Sequence, residues 1–513
     1  MDAPNASAQR ALWLRRTQGI AVSLSLLMLL AFVYTAVRRL RYPFELDRME
    51  SAMMTSVWRL AHGQPLYGKP SLEWAPFLYA PLFFYASLAM SKITGLGYVA
   101  LRSVSLLSAL GTAAVLYLHI RRETANTVAA ISAVGIYASL YSVALGWYDI
   151  GRVDSLSVFL FVLAVYCMRF APPPIAAIVW VLAFQTKQGF LPIGLLAFVV
   201  EWRRPRRMVL NMAIYAALAW LSIVWLQRTS GGWYSYYVFG TVKQLGISRH
   251  YAVLYLPYDL LQPLPIALLL CAMALMVRPI RWSSQRGFFY VWFTLLITGS
   301  IWFARAHEGS YVNTILPAYV WLVLVAGIAI ARLAPLDAQS PLPGLLWLMV
   351  IAQISMHLYR PIEFDPSPSM LATREHFLDI VRGVPGDIWL TSHSYDAILA
   401  GKPLHAEMDA LDAVLEKDPQ VAAEVREAIA GKHFTAILLD HEPETYSPAW
   451  LFNGPPFTSG YRQEAIAPMN FVNTVGDQPS LAFLPCDIPA TAAQSLLMPQ
   501  TFARQGQCPS GAQ

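Results

Sequence analysis

The stretch FELDRMES, residues 44–51, sets Glu45, Asp47 and Glu50 beside Arg48. If a helix starts there, Asp47 and Glu50 lie three apart and share a face, while Glu45 points elsewhere. Two carboxylates on one face can act as a general base, ligate a divalent cation or accept hydrogen bonds from substrate hydroxyls. The same pattern also suits a solvated helix start, where the macrodipole favours acids. A second cluster, GWYDIGRVDS at 146–155, carries Asp149, Arg152 and Asp154. There Asp149 and Arg152 can pair with each other, and Asp154 can cap a helix.

Cations recur between the apolar runs. QTKQG puts Lys187 in a tight turn, KQLGISRHY brings Lys243, Arg249 and His250, and FARAHEGSYVN brings Arg305, His307 and Glu308. Such groups match a phosphate by charge, and the arginines also by their forked geometry. Snorkelling of the same side chains to lipid head groups is the competing role. His307 has no second ligand at a usual spacing, so no metal set is assigned, although the acidic clusters are compatible with a divalent ion. Neither GxxxxGK[ST] nor GxGxxG between a strand and a helix occurs. That argues against an ATP-driven pump and against a cytosolic nucleotide-sugar enzyme.

The elements that must position these residues are read from composition. Of 513 residues, 56% are hydrophobic and 13% charged, with a mean hydropathy of +0.45. Soluble domains carry about 25% charged residues, so the bilayer is the solvent here. The net charge of +6 comes with arginines in short clusters between apolar runs. It orients helices and is not a nucleic-acid signal. Aromatics, including 16 Trp and 25 Tyr, suit interfacial belts and a lined cavity.

Apolar segments recur near 18–37, 101–119, 127–146, 155–168, 174–187, 189–201, 209–227, 254–277, 288–304, 313–331 and 342–359. They predict about eleven membrane helices. The first is too long for a signal h-region and lacks an A-x-A-like site, so it is expected to remain. Arg10, Arg15, Arg16, Arg121, Arg122, Arg169, the run EWRRPRR, Arg278, Arg281, Arg286 and Arg332 all fall on one side. The positive-inside rule makes that side cytoplasmic, with the N-terminus there and residues beyond about 360 outside. Both acidic clusters then share the extracytoplasmic side, where they could converge on one cavity.

The loop 38–100 breaks the charge rule with Arg38, Arg39, Arg41, Arg48, Arg59, Lys69 and Lys92. An anionic head group is one reason to keep them. LDRMESAMMTSVWRLAHG and PFLYAPLFFYASLAMSKITG in this loop read as interfacial helices. Residues 361–513 read as a small α/β domain. DIWLT (387–391) and FTAILLD (434–440) are expected as its strands, 409–431 as a helical run, and the end is expected to be poorly ordered. Cys167 and Cys271 fall in apolar runs as buried hydrophobes, and Cys486 and Cys508 could pair in an oxidising compartment.

The order of motifs resembles a known family. The acidic stretch after the first helix, HGQPLY (62–67) with Tyr67, and YAPLFFYASLAMSKITG with Tyr79, followed by Arg102, resemble segments of bacterial polytopic glycosyltransferases of the GT-C fold. This is the aminoarabinose, mannosyl and galacturonosyl transferase-like superfamily. GRVDSL (151–156), HEGSYVNTILP (307–317) with Asn313, and AQISMHLYRP (352–361) are similar to its later motifs, so the resemblance covers roughly residues 40–360.

The resemblance implies a GT-C-like helical catalytic domain over 1–360 and a periplasmic α/β domain over 361–513 in a bacterial inner membrane. It implies a polyprenyl-phosphate-linked sugar as donor and an envelope lipid, polysaccharide or protein as acceptor. Asp47 or Glu50 is implied as the base, although this sequence has D-R-M-E where relatives show adjacent acids. Asp154 is implied as a supporting acid. Lys187, Arg249 or Arg305 would hold the leaving phosphate, with Asp149, Arg152, Tyr67, Tyr79, His250, His307 and Asn313 lining the substrate site. The rival classes are a secondary transporter or flippase and a non-catalytic scaffold. Transporter sites tend to sit at the midplane between repeated halves, and no matching halves are seen here.

Overall fold

A computed structural model describes residues 3–240, 246–277, 279, 284–340, 342–441, 451, 460–466, 471 and 478–487. Lys243, Arg278, Arg281 and Cys508 lie outside the described residues.

The chain opens with the long helix α1 (Ala3–Leu40), then α2 (Arg48–Ala61), α3 (Leu82–Thr94), α4 (Tyr98–Thr124) and α5 (Thr127–Ser139). Next come α6 (Val153–Phe170), α7 (Pro173–Phe184), α8 (Phe190–Ala197), α9 (Pro205–Thr229) and the single turn α10 (Trp233–Ser235). After them run α11 (Arg249–Leu254), α12 (Pro265–Val277), α13 (Gln285–Arg305), α14 (Leu316–Gln339) and α15 (Leu345–Ser355). The last part holds α16 (Pro368–Gly383), β1 (Ile388–Leu390), α17 (Ser394–Leu399), α18 (Met408–Leu415), α19 (Pro419–Ala430), β2 (Ala436–Leu439), β3 (Tyr461–Ala465) and β4 (Leu481–Pro485).

Each of the eleven apolar segments holds helix, although 127–146 is α-helical only over Thr127–Ser139, 342–359 only over Leu345–Ser355, and 254–277 is broken in two. Among the described residues, six helices are long and apolar enough to cross a membrane. A seventh span counts if Arg249–Leu261 and Pro265–Val277, bent by 81°, form one crossing. The helices over Thr127–Ser139, Pro173–Phe184, Phe190–Glu201 and Leu345–Ser355 are shorter. At 1.5 Å per residue they reach about 20 Å at most, against about 30 Å of hydrocarbon. Length alone therefore carries six or seven crossings and not eleven.

The described residues form two compact units that do not divide at residue 360. The first comprises Met1–Leu40, Ser103–Val224 and Gln244–Asp365. Here α14 is the hub, packed by α5, α6, α12 and α13, while α1 packs on α5 and α15. Gly135 permits the α1–α5 approach, because a Cβ there would lie 2.6 Å from the Ser25 Cα.

The second unit comprises Arg41–Arg102, Trp225–Lys243 and Pro366–Gln513. Its sheet has the order β1-β2-β4-β3, with β1 parallel to β2 and the other pairs antiparallel. DIWLT and FTAILLD are strands as expected, β1 at one edge of the sheet and β2 beside it in parallel. Ile388, Leu390, Leu438 and Leu484 form its core with Phe377 and Val381 of α16. The expected 409–431 helix is two helices, because Asp418 caps α19 through the Gln420 and Val421 amides and Pro419 follows at the first helical position.

Candidate functional site

Chemistry-bearing residues gather in two clusters, one in each unit. In the second unit, Phe44 and Leu46 pack with Tyr42 and Leu378. The acids between and after them serve different purposes. Asp47 is the N-cap of α2, in extended backbone, and its Oδ1 accepts from the Met49 amide at 3.1 Å. Glu50 sits three residues on and accepts from the Leu46 amide at 2.7 Å. This is a displaced capping box, so D-R-M-E is a helix-start spacing.

Arg102 fixes Glu50 bidentately, Nε to Oε1 at 3.0 Å and Nη2 to Oε2 at 2.7 Å. It also donates to the Tyr42 and Phe44 carbonyls. Both Glu50 oxygens are thus occupied within the protein. Glu50→Gln is expected to lower stability by about 3–5 kcal/mol, because it leaves Arg102 charged and uncompensated. The protein level in membranes should fall accordingly, whereas activity per folded molecule should change little.

Glu45, expected to point away, is at the centre. Its Oε1 accepts from Arg374 at 3.0 Å and is bonded to His393 Nδ1. Arg374 also reaches Asp396 at 2.6 Å, and His393 Nε2 lies 3.2 Å from Asp440. All five side chains are buried. Burial opposes the charge on Glu45, but Arg374 and His393 outweigh it and hold the carboxyl below its usual range. Burial likewise opposes the charge on His393, but Asp440 and Glu45 hold the imidazole protonated well above its ordinary pKa. Burial pushes Asp396 up to about 6 despite Arg374. Ligating atoms of Glu45, His393 and Asp396 lie within 4.8 Å of one another. That span would suit a metal, but Arg374 already supplies the cation, so no metal is assigned.

Glu407 accepts from Ser394 Oγ at 2.7 Å, and burial pushes its pKa up to about 8. Its folded value lies above the unfolded one, so its contribution is complete below about pH 4.5 and is lost as pH rises through 8. His393 and Asp396 act in the same direction, while Glu45, whose value is lowered, acts oppositely at acid pH. Glu407→Gln is expected to flatten the decline of Tm between pH 5 and 9 and to raise Tm at the alkaline end. Melting curves of the purified protein across that range check this.

The sequence missed Glu45, Arg374, His393, Asp396 and Asp440. One signal was available in SHSYD (392–396), a polar run directly after β1. The motif tyrosines do meet, since Tyr67 is buried and donates to the Tyr79 carbonyl at 2.6 Å. Tyr67 packs on Tyr234 and Tyr237.

In the first unit the cluster forms around Asp154. Arg152 is the N-cap of α6 and its side chain makes no capping bond, while Asp154 stands inside the first turn and does not cap it. Its Oδ1 accepts from Lys187 Nζ at 2.8 Å and from Asn313 Nδ2 at 3.0 Å. Arg152 lies 3.4 Å from Oδ2 and stacks over Trp147. Four expected residues are therefore brought together by α6, the α7–α8 turn and the start of α14.

Others have different partners. Asp149 pairs with Arg39 at 2.9 Å and accepts from Tyr141. Arg305 is held by Asp259 at 2.9 Å and lies over Tyr251. Arg249 and His250 are exposed at the start of α11, and half-buried His307, just past α13, bonds the Phe303 carbonyl of that helix. Cations expected to await a lipid head group are matched inside the protein: Arg38 by Asp365, Arg39 by Asp149, Arg48 by Asp409, and Arg59 over Trp74.

The helices, the small sheet unit and their order define a multi-pass membrane protein of the GT-C fold. The structure is similar to ArnT from Cupriavidus metallidurans in the apo state, with a TM-score of 0.60 and 12% identity over 94% of this chain and 99% of that one. ArnT from the same organism bound to undecaprenyl phosphate gives a TM-score of 0.59 and 13% identity over the same shares. No family model and no curated protein matches the sequence.

Proposed function

We propose that the protein is a membrane glycosyltransferase that moves a sugar from a polyprenyl-phosphate donor to an envelope acceptor on the periplasmic face. The observation that carries this is a shared fold over nearly the whole of both chains with a protein whose complex holds undecaprenyl phosphate. In this mechanism Asp47 takes the proton from the acceptor hydroxyl as it attacks the anomeric carbon, inverting it. The bond to the phosphate oxygen breaks, and the departing phosphate keeps the electron pair as an anion. No protein acid is needed for that leaving group.

Lys187, with Arg152 and Asn313, is assigned to the lipid phosphate, and Asp154 orients them. Asp47 is preferred to Glu50 because Arg102 and the Leu46 amide occupy both Glu50 oxygens. A transporter remains a different reading that no observation favours.

Melting the purified protein with added polyprenyl phosphate tests the donor. A ligand at about 100 times its Kd adds roughly 2.7 kcal/mol, so Tm should rise. Lys187→Met is expected to raise the donor KM by about 10–100-fold, equivalent to one charge-assisted contact, and so to cut the stabilisation at the same ligand concentration to roughly 0.4–1.4 kcal/mol, whatever its own Tm. An equal rise in wild type and variant would remove Lys187 from the phosphate site.

A further inference from the structure

A cavity of about 570 Å³ lies among α12, α13 and α14 of the first unit. Its origin is a packing gap. α12 and α13 each pack closely along α14, but they make no comparable contact with one another. The result is a slot floored by α14, with residues such as Leu268, Leu275, Val325 and Ala329 on its walls. Leu275 and Leu295 on its edges are 44% and 60% exposed, so the slot opens sideways and not only at an end.

One end differs chemically. Arg286 and Arg332 line it beside Ser284. Arg286 bonds the carboxylate and the carbonyl of Glu123, which engages part of a guanidinium with five donors. Along α14 the lining runs from Leu322 to Arg332, about 15 Å at 1.5 Å per residue. That is half of the roughly 30 Å hydrocarbon core, the depth of one leaflet. An apolar slot one leaflet deep, ending in two arginines, is complementary in shape and charge to an anionic phospholipid. A polyprenyl chain would be much longer than the slot.

We propose that this cavity binds an anionic phospholipid, with an acyl chain in the slot and the phosphate at Arg286 and Arg332. Basic pockets between membrane helices are suited to such head groups. The site is separate from the residues assigned to sugar transfer.

Native mass spectrometry of the purified full chain tests it, with phosphatidylglycerol, phosphatidylcholine of equal chain length, or polyprenyl phosphate added. One phosphatidylglycerol should be retained, at least tenfold in preference to phosphatidylcholine. Arg332→Gln with Arg286→Gln should reduce that retention to the phosphatidylcholine level. Val325→Phe fills the slot and leaves both arginines and their partners in place, so it keeps the test valid if the double variant misfolds. It should reduce retention of both phospholipids. Equal retention of the two phospholipids, or retention unchanged in Val325→Phe, would overturn the proposal. So would preferential retention of polyprenyl phosphate that Val325→Phe removes.

Discussion

Asp47→Asn is expected to lower sugar transfer by about 10²–10⁴-fold, the range of a lost general base, while the protein folds and accumulates as wild type. The separation is possible because Asn caps a helix about as well as Asp. Its side-chain carbonyl can accept the Met49 amide that Asp47 Oδ1 accepts now. The carboxylate's charge and its ability to take a proton are lost. Transfer assayed in membranes, normalised to the folded protein, should fall with no change in Tm. Activity within a fewfold of wild type would remove Asp47 from the mechanism. The contrast with Glu50→Gln is informative, since that substitution should reduce protein and not turnover.

Arg374→Met should have the largest effect on stability. Its guanidinium lies between Glu45 and Asp396, all three being buried. Removing it takes the cation from Asp396 and leaves Glu45 balanced only by His393, which should cost about 3–5 kcal/mol, as for other broken buried pairs. For a unit of this size that is a fall in Tm on the order of 10 °C. Arg374→Lys should recover part of it, since the charge returns without the forked geometry. Because Glu45 precedes Asp47 by two residues, the loss should also loosen the start of α2 and lower activity more than the melting shift alone explains. An unchanged Tm in Arg374→Met would mean that the network does not hold this loop.

These two outcomes bear on what a sequence can show. The membrane segments were legible because twenty apolar residues have few other uses, and the strands DIWLT and FTAILLD stood out from polar surroundings. The sequence marks Lys187 and Asp154 by their charge and Asn313 by a motif resemblance, and the structure brings them within hydrogen-bond distance. The D-R-M-E spacing was legible as a helix start, which is the part both acids play locally.

What stayed hidden depended on pairing across long separations. Glu45 and His393 are 348 residues apart, and no local periodicity reports such a contact. Arg39 looked like a cation held on the wrong side of the membrane, yet its buried partner Asp149 is 110 residues away. The short helices α5, α7, α8 and α15 were visible as apolar runs, but how long each stays helical depends on its neighbours. The division into units was hidden for the same reason. Residues 41–102 join the C-terminal segment through Phe44, Leu46, Glu45 and Ser51, which pair or pack with residues beyond 366.

The central claim is sugar transfer, and comparing envelope glycolipids and glycans by mass spectrometry tests it most directly. A deletion strain would be complemented with wild type or with Asp47→Asn at equal membrane levels. Transfer predicts that a hexose- or pentose-sized mass increment disappears on deletion, returns with wild type and does not return with Asp47→Asn. Identical glycan profiles in the deletion and parent strains would contradict it.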